Sequence, residues 1–184
     1  MTARVLHLNG APGVGKSTLA RRWADEHPGT LVVEADALRT WVSGWRDDWV
    51  AVGSRVRPVT LAMISAYAGA GHDVVVPQLV GLPGELELFR TAATDVGATY
   101  VQVLVRGDAQ ARFAARALDQ PWLQEVRRVV DAEGPGLHDE VERRLSAMDP
   151  RGRIELETTT GDLDGSYRSL VAAVVGDKKG GTPL

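Results

Sequence analysis

The chain has 184 residues, 44% hydrophobic and 24% charged, with a formal charge of −3. That is the mix of a soluble globular protein, long enough for one domain with a substantial core. Cysteine is absent, which excludes a disulfide framework, a zinc knuckle and a thiol nucleophile. The net negative charge gives no global basic field for coating nucleic acid. No apolar run approaches a membrane span, and Met1-Thr2-Ala3-Arg4 leads straight into a strand-like run rather than a secretory signal. The expectation is a cytoplasmic protein, monomer or homodimer, with no nucleic-acid or membrane partner.

Short β-branched runs alternate with longer helical stretches. Arg4–Asn9 reads as a first strand, and Lys16–His27 as a helix stopped by Pro28-Gly29. Thr30–Ala35 is a second strand. Asp36 can cap a helix running to about Gly44, and a longer helix is expected from about Arg55 to Ala70. Asp73–Pro77 is a third strand, Gly84–Val96 a helix and Thr99–Val105 a fourth strand. Asp108–Asp119, Pro121–Ala132 and His138–Met148 read as helices, Arg153–Glu157 as a fifth strand and Leu163–Val175 as a closing helix. Strands separated by helices make βαβ units, a parallel sheet covered on both faces, and ligand sites beyond the carboxyl ends of the strands. One domain over 1–175 is expected, with a flexible tail over 176–184 that holds Lys178 and Lys179. Lys16 is then the single lysine of the folded body.

That lysine sits in Gly10-Ala11-Pro12-Gly13-Val14-Gly15-Lys16-Ser17-Thr18, which matches G-x-x-x-x-G-K-[ST] between the first strand and the first helix. Glycines let successive backbone N–H groups turn inward around phosphate oxygens, and the helix start adds its own N–H groups and dipole. Lys16 would reach the β/γ oxygens. Ser17 would ligate Mg²⁺, and Gly10, Ala11, Gly13, Val14, Gly15 and Thr18 complete the nucleotide cradle. The chain has one asparagine, Asn9, so the N-K-x-D element that reads guanine is absent.

Strand three ends Val76-Pro77-Gln78 rather than in an acid, and Gln78 could hydrogen-bond a metal-bound water or a substrate. The acids come after strand two, as Glu34-x-Asp36. Residues two apart on a strand project to one side, so both would face the phosphate site. Glu34 is assigned mainly to Mg²⁺ and Asp36 mainly to orienting an attacking hydroxyl. Asp36 could instead only cap its helix, and Glu34 could pair with an arginine.

Gly10–Thr18 with Glu34-Ala35-Asp36 resembles the small P-loop kinases, the superfamily of shikimate kinase, gluconate kinase and chloramphenicol phosphotransferase, and an AAA-type ATP-binding branch of bacteria. The resemblance implies a three-layer α/β P-loop NTPase fold, with a five-stranded parallel sheet in the order 2-3-1-4-5 and a helical lid at about 120–138. It implies transfer of the γ-phosphate of ATP, with Mg²⁺, to a hydroxyl of an antibiotic, secondary metabolite, sugar or nucleoside. By the same resemblance Arg112 and Arg116, four apart after strand four, stack on adenine or clamp phosphates. Their alternative is a solvated face paired with Asp108 or Asp119. The loop Thr158–Asp162 would cradle adenine.

On the acceptor side, Trp41, Trp45 and Trp49 repeat at helical spacing and either wall a ligand, Trp45 foremost, or fill the core. Arg39, three residues past Asp36, would bind an anionic acceptor or pair at the surface. Two other readings remain: a regulatory ATPase without a small-molecule acceptor, and an RNA-end kinase, which the net charge disfavours.

Overall fold

The computed structural model describes residues 2–176. The expected tail, apart from Gly176, lies outside the described residues. Five parallel strands form one sheet in the order β2-β3-β1-β4-β5. They are β1 (Arg4–Asn9), β2 (Leu31–Val32), β3 (Val74–Val76), β4 (Thr99–Arg106) and β5 (Arg153–Glu157). The helices among the described residues are α1 (Lys16–Glu26), α2 (Ala35–Arg39), α3 (Trp49–Gly69), α4 (Pro83–Thr94), α5 (Ala109–Ala115), α6 (Pro121–Glu133), α7 (Leu137–Ala147) and α8 (Leu163–Gly176).

The three central strands are almost wholly buried, which is why they read as apolar runs rather than alternating ones. α1 and α8 lie together on the sheet, α1 against β1, β2 and β3 and α8 against β5. α3 and α4 lie together on β1, β3 and β4. One core runs through all of this, with Leu6, Leu8, Leu19, Trp23, Ile64, Leu104 and Leu170 essentially sealed from solvent.

Four sequence expectations are corrected. β2 is only two residues long, so Glu34 and Asp36 are not strand neighbours: Glu34 is the N-cap residue of α2 and Asp36 stands in its first turn. α2 stops at Arg39, and residues 40–48 are turns, so the three tryptophans do not share a helix face. α3 starts at Trp49, earlier than its apolar pattern suggested, because the Asp48 side chain accepts from Ala51 N at 2.9 Å and caps it. The fourth correction is at α5, which ends at Ala115; Arg116 follows in extended backbone, off the helix face expected for it with Arg112.

Candidate functional site

Beyond the carboxyl ends of β1, β3 and β4 lies a cleft of about 970 Å³. Its floor is the loop between β1 and α1. Gly13 and Gly15 take φ of 97° and 98°, and a Cβ on Gly13 would collide with the Ala109 carbonyl oxygen, so the backbone itself lines the cleft there. No side chain caps α1 and its first turn holds no acid, which leaves its N–H groups and positive dipole end open to an anion. The Lys16 ammonium donates to Gly10 O and Ala11 O, each at 2.8 Å, and is held over the loop. Burial pulls its pKa down to about 8, against the carboxylate of Asp36 and with the repulsion of Arg116. A bound polyphosphate would relieve that burial cost.

Asp36 lines the same cleft. Burial pushes its carboxyl up, and Arg39 and Lys16 pull it back toward the charged form. Glu34 also lines the cleft, but both its oxygens accept from Arg21, at 3.2 and 3.1 Å. The pair is partly exposed and of modest worth, so a cation could compete for the carboxylate. Ser17 opens α1 at the cleft wall. The described residues contain no cluster of three His, Cys, Asp or Glu that could hold a metal by themselves. This donor set suits a hard cation held mainly by phosphate oxygens and water, with Ser17 and a carboxylate contributing.

Arg112 and Arg116 both reach the cleft but differ in state. Arg112 is spent on the protein: it donates to Thr160 Oγ1 at 2.8 Å, Thr158 Oγ1 at 2.9 Å, Thr158 O at 2.7 Å and Val14 O at 3.3 Å. It ties the loop after β5 to the phosphate loop rather than pairing with Asp108 or Asp119. The Arg116 guanidinium lies 5.7 Å from the Trp122 ring centre and makes no hydrogen bond or ion pair among the described residues.

On the opposite side, Gln78 and Arg39 line the cleft as expected, together with Trp49, Pro77 and Leu79. Trp45 does not: it is buried in the core, edge-on to Trp49 at 5.9 Å, under the Arg46 guanidinium. Trp41 is exposed and apart from the cleft. Two side chains of β1 fix the segment after β3. His7 Nε2 donates to Gln78 O at 2.9 Å, and Asn9 donates to Val80 O at 2.9 Å while accepting from Val80 N and Gly10 N. Side chains thus extend the β1–β3 ladder past its last backbone pair.

Within the segment at about 120–138, expected as a helical lid, sequence reasoning named no residue that lines the cleft. Trp122, Leu123, Val126, Val129 and Val130 of α6 line the cleft. Their spacing of three and four along the helix was the available signal. His138 at the start of α7 bonds Pro12 O at 3.1 Å, so the start of α7 touches the phosphate loop.

The sheet order and the loop define a P-loop nucleotide-binding protein of three-layer α/β type. The chain belongs to the AAA domain family, whose model matches residues 5–132. No curated protein sequence matches it. Among solved structures it is similar to a putative kinase from Chloroflexus aurantiacus, with 17% identity, a TM-score of 0.67 and 98% of each chain covered. It is also similar to a gluconokinase from Sinorhizobium meliloti (17% identity, TM-score 0.62, 97% of this chain and 94% of that one). A third is the Mycobacterium tuberculosis APS kinase in complex with AMPPNP and APS (17%, 0.59, 95% and 98%). At such identities the likeness is one of fold, that of the small P-loop kinases. No helix among the described residues is long and apolar enough to cross a membrane.

Proposed function

We propose that this protein is an ATP- and Mg²⁺-dependent phosphotransferase that moves the γ-phosphoryl group of ATP to a hydroxyl of a small molecule. The observation that carries the reading is that Asp36 shares one cleft with Lys16 and the uncapped start of α1. A polyphosphate laid along Gly10–Thr18 would bring its terminal phosphorus between the ammonium and the carboxylate. Asp36 then accepts the proton of the acceptor hydroxyl and aims its oxygen in line with that phosphorus. The acceptor oxygen bonds to phosphorus, the bond to the β–γ bridging oxygen breaks, and ADP leaves. Lys16, the loop amides and Arg116 face the developing negative charge. Mg²⁺, held at Ser17 with help from Glu34, supplies charge neutralisation on the phosphate oxygens. Residues 1–175 act as one catalytic domain, with the segment around 120–138 closing over the nucleotide to exclude water. The cleft of about 970 Å³ has room for ATP and a modest acceptor.

The test is Asp36→Asn. ATP binding should persist while transfer to acceptor falls by about 10²–10⁴. Undiminished transfer would refute the base. A protein that turns over ATP at the same rate whatever alcohol is supplied would instead be a regulatory ATPase.

A further inference from the structure

We infer that the acceptor is an uncharged alcohol with an aromatic or aliphatic body, rather than a sugar acid, a nucleotide or another anion. The inference rests on the transferase reading above and narrows its substrate class.

The first observation is the state of the cations. Five basic side chains line the cleft: Lys16, Arg39, Arg112, Arg116 and Arg144. Lys16 and Arg116 stand with the phosphate loop and Glu34. Arg112 is consumed by Thr158, Thr160 and Val14, and Arg144 pairs with Glu140 at 2.6 Å. Arg39 is the cation beside Asp36 on the acceptor side, and Asp36 and Trp49 both engage it. Its Nε stands 3.2 Å from Asp36 Oδ1, and its Nη1 donates to Trp49 O at 3.0 Å. Its guanidinium lies 4.3 Å from the Trp49 ring centre. Beneath it, a Cβ on Gly53 would come within 2.7 Å of Cζ, so α3 has a glycine where the guanidinium rests. Turning Arg39 to an acceptor's anion would take its ion pair from a partly buried carboxylate and leave Lys16 as the remaining favourable charge. An anion here would also face Asp36 and Glu34 across the cleft.

The second observation is the wall. α6 lies across α2, so its cleft-lining residues Trp122, Leu123 and Val126 roof the region above Asp36. Trp49, Pro77 and Leu79 close the sides. Besides Arg39 and Glu34, the polar groups on this side are the Asp36 carboxylate and the Gln78 amide, whose Nε2 bonds Leu79 O at 3.3 Å and whose Oε1 has no partner among the described residues. One carboxylate and one amide suit one or two hydroxyls, and the apolar roof suits the rest of the molecule. The products are ADP and the alcohol's phosphate monoester, the hydroxyl proton going to Asp36.

The test uses the full chain loaded with AMPPNP and Mg²⁺ for binding, and with ATP and Mg²⁺ for turnover. Matched acceptors are 3-phenyl-1-propanol and its carboxylate twin, 4-(3-hydroxypropyl)benzoate, with glucose and D-gluconate as polar controls. Binding is read by the fluorescence of the cleft tryptophans, and transfer by ADP release and phosphorus NMR of the ester. The neutral aryl alcohol should bind at least about tenfold more tightly than its carboxylate twin and be phosphorylated in preference to gluconate. Val126→Gln, on a half-buried position of the roof, should weaken that alcohol by a larger factor than it weakens AMPPNP. Tighter binding or faster phosphorylation of either anion overturns the inference and leaves the kinase reading standing. Failure of the neutral aryl alcohol to bind also overturns it. Binding of that alcohol with no phosphate transferred in wild type sinks the transferase reading instead.

Discussion

Asp36 and Arg39 face each other one helical turn apart, the carboxylate Oδ1 lying 3.2 Å from the guanidinium Nε. The groups that act on Asp36 are Arg39 and Lys16, which favour its charged form, and Glu34, which opposes it. Arg39→Met removes one favourable charge, so the Asp36 carboxyl should rise further and the base should be lost at a higher pH. The acid limb of the pH–rate profile of ADP production therefore moves up. Arg39→Lys should restore part of the shift. Gly53→Ala offers a control that keeps every charge: its methyl would fall 2.7 Å from Arg39 Cζ, displace the guanidinium and shift the profile the same way. An unmoved acid limb in Arg39→Met would mean that Arg39 does not act through Asp36.

Lys16 predicts a second pH dependence. Its ammonium has a pKa of about 8 in the free protein because burial disfavours the charge. A polyphosphate favours the ammonium and raises that pKa in the complex. Above about pH 8 binding must therefore take up a proton, and ATP affinity should fall about tenfold per pH unit until the pKa of the complex is passed. Calorimetric titrations at pH 8.5 in two buffers of different ionisation heat would measure the proton uptake. Lys16→Met should abolish it. Affinity that stays constant from pH 8 to 9.5 would contradict the coupling.

The two arginines after β4 separate structure from turnover. Arg112 makes four donated hydrogen bonds to the phosphate loop and the loop after β5. Arg112→Ala leaves Thr158 O and Val14 O without that donor and should cost about 2 kcal/mol of stability, with weaker nucleotide binding. Arg116 has no such partners, so Arg116→Ala should leave the melting temperature within about one degree and lower kcat by about tenfold or more. Thermal melts beside steady-state rates decide it, and equal losses of stability in both variants would refute the division of labour.

The phosphate loop and the alternation of strands and helices were legible because each is local. Gly10, Gly15, Lys16 and Ser17 need only their own backbone, and β1, β3 and β4 announce burial on both faces by continuous apolar runs. Asp36 and Glu34 line the cleft, but not for the reason the sequence suggested. The strand rule of two did not apply, since β2 stops at Val32, and the start of α2 brings both residues to the cleft instead. What stayed hidden depends on contacts between distant segments. Arg39 could be read as an anion binder or as a surface pair, because nothing in Ala35–Arg39 shows that Trp49 and Gly53 pack against it. Trp45 was singled out ahead of Trp49 as a ligand wall, and the turns over 40–48 send Trp45 to the core and Trp49 to the cleft. The apolar face of α6 was readable as a face, but its destination above α2 was not.

His7 carries the remaining prediction, because it is wholly buried and yet titratable. Gln78 O can only accept, so His7 Nε2 holds the proton and Nδ1 accepts from the Tyr100 hydroxyl at 2.6 Å. Burial, assisted by the charge of Lys16, lowers its pKa from 6.5 to about 4. Folded protein therefore stays neutral at His7 where unfolded chain takes up a proton, and stability rises with pH in that window. The contribution is complete above pH 6.5 and is lost as pH falls toward about 4, by up to about 3 kcal/mol. His7→Gln retains polar reach but has no proton to gain, so its unfolding free energy should be lower at neutral pH and flatter below it. Urea titrations at pH 7, 6, 5 and 4.5 would compare the two slopes. Parallel slopes would mean that the loss of stability in acid comes from other groups, and that the His7 bridge to Gln78 survives protonation.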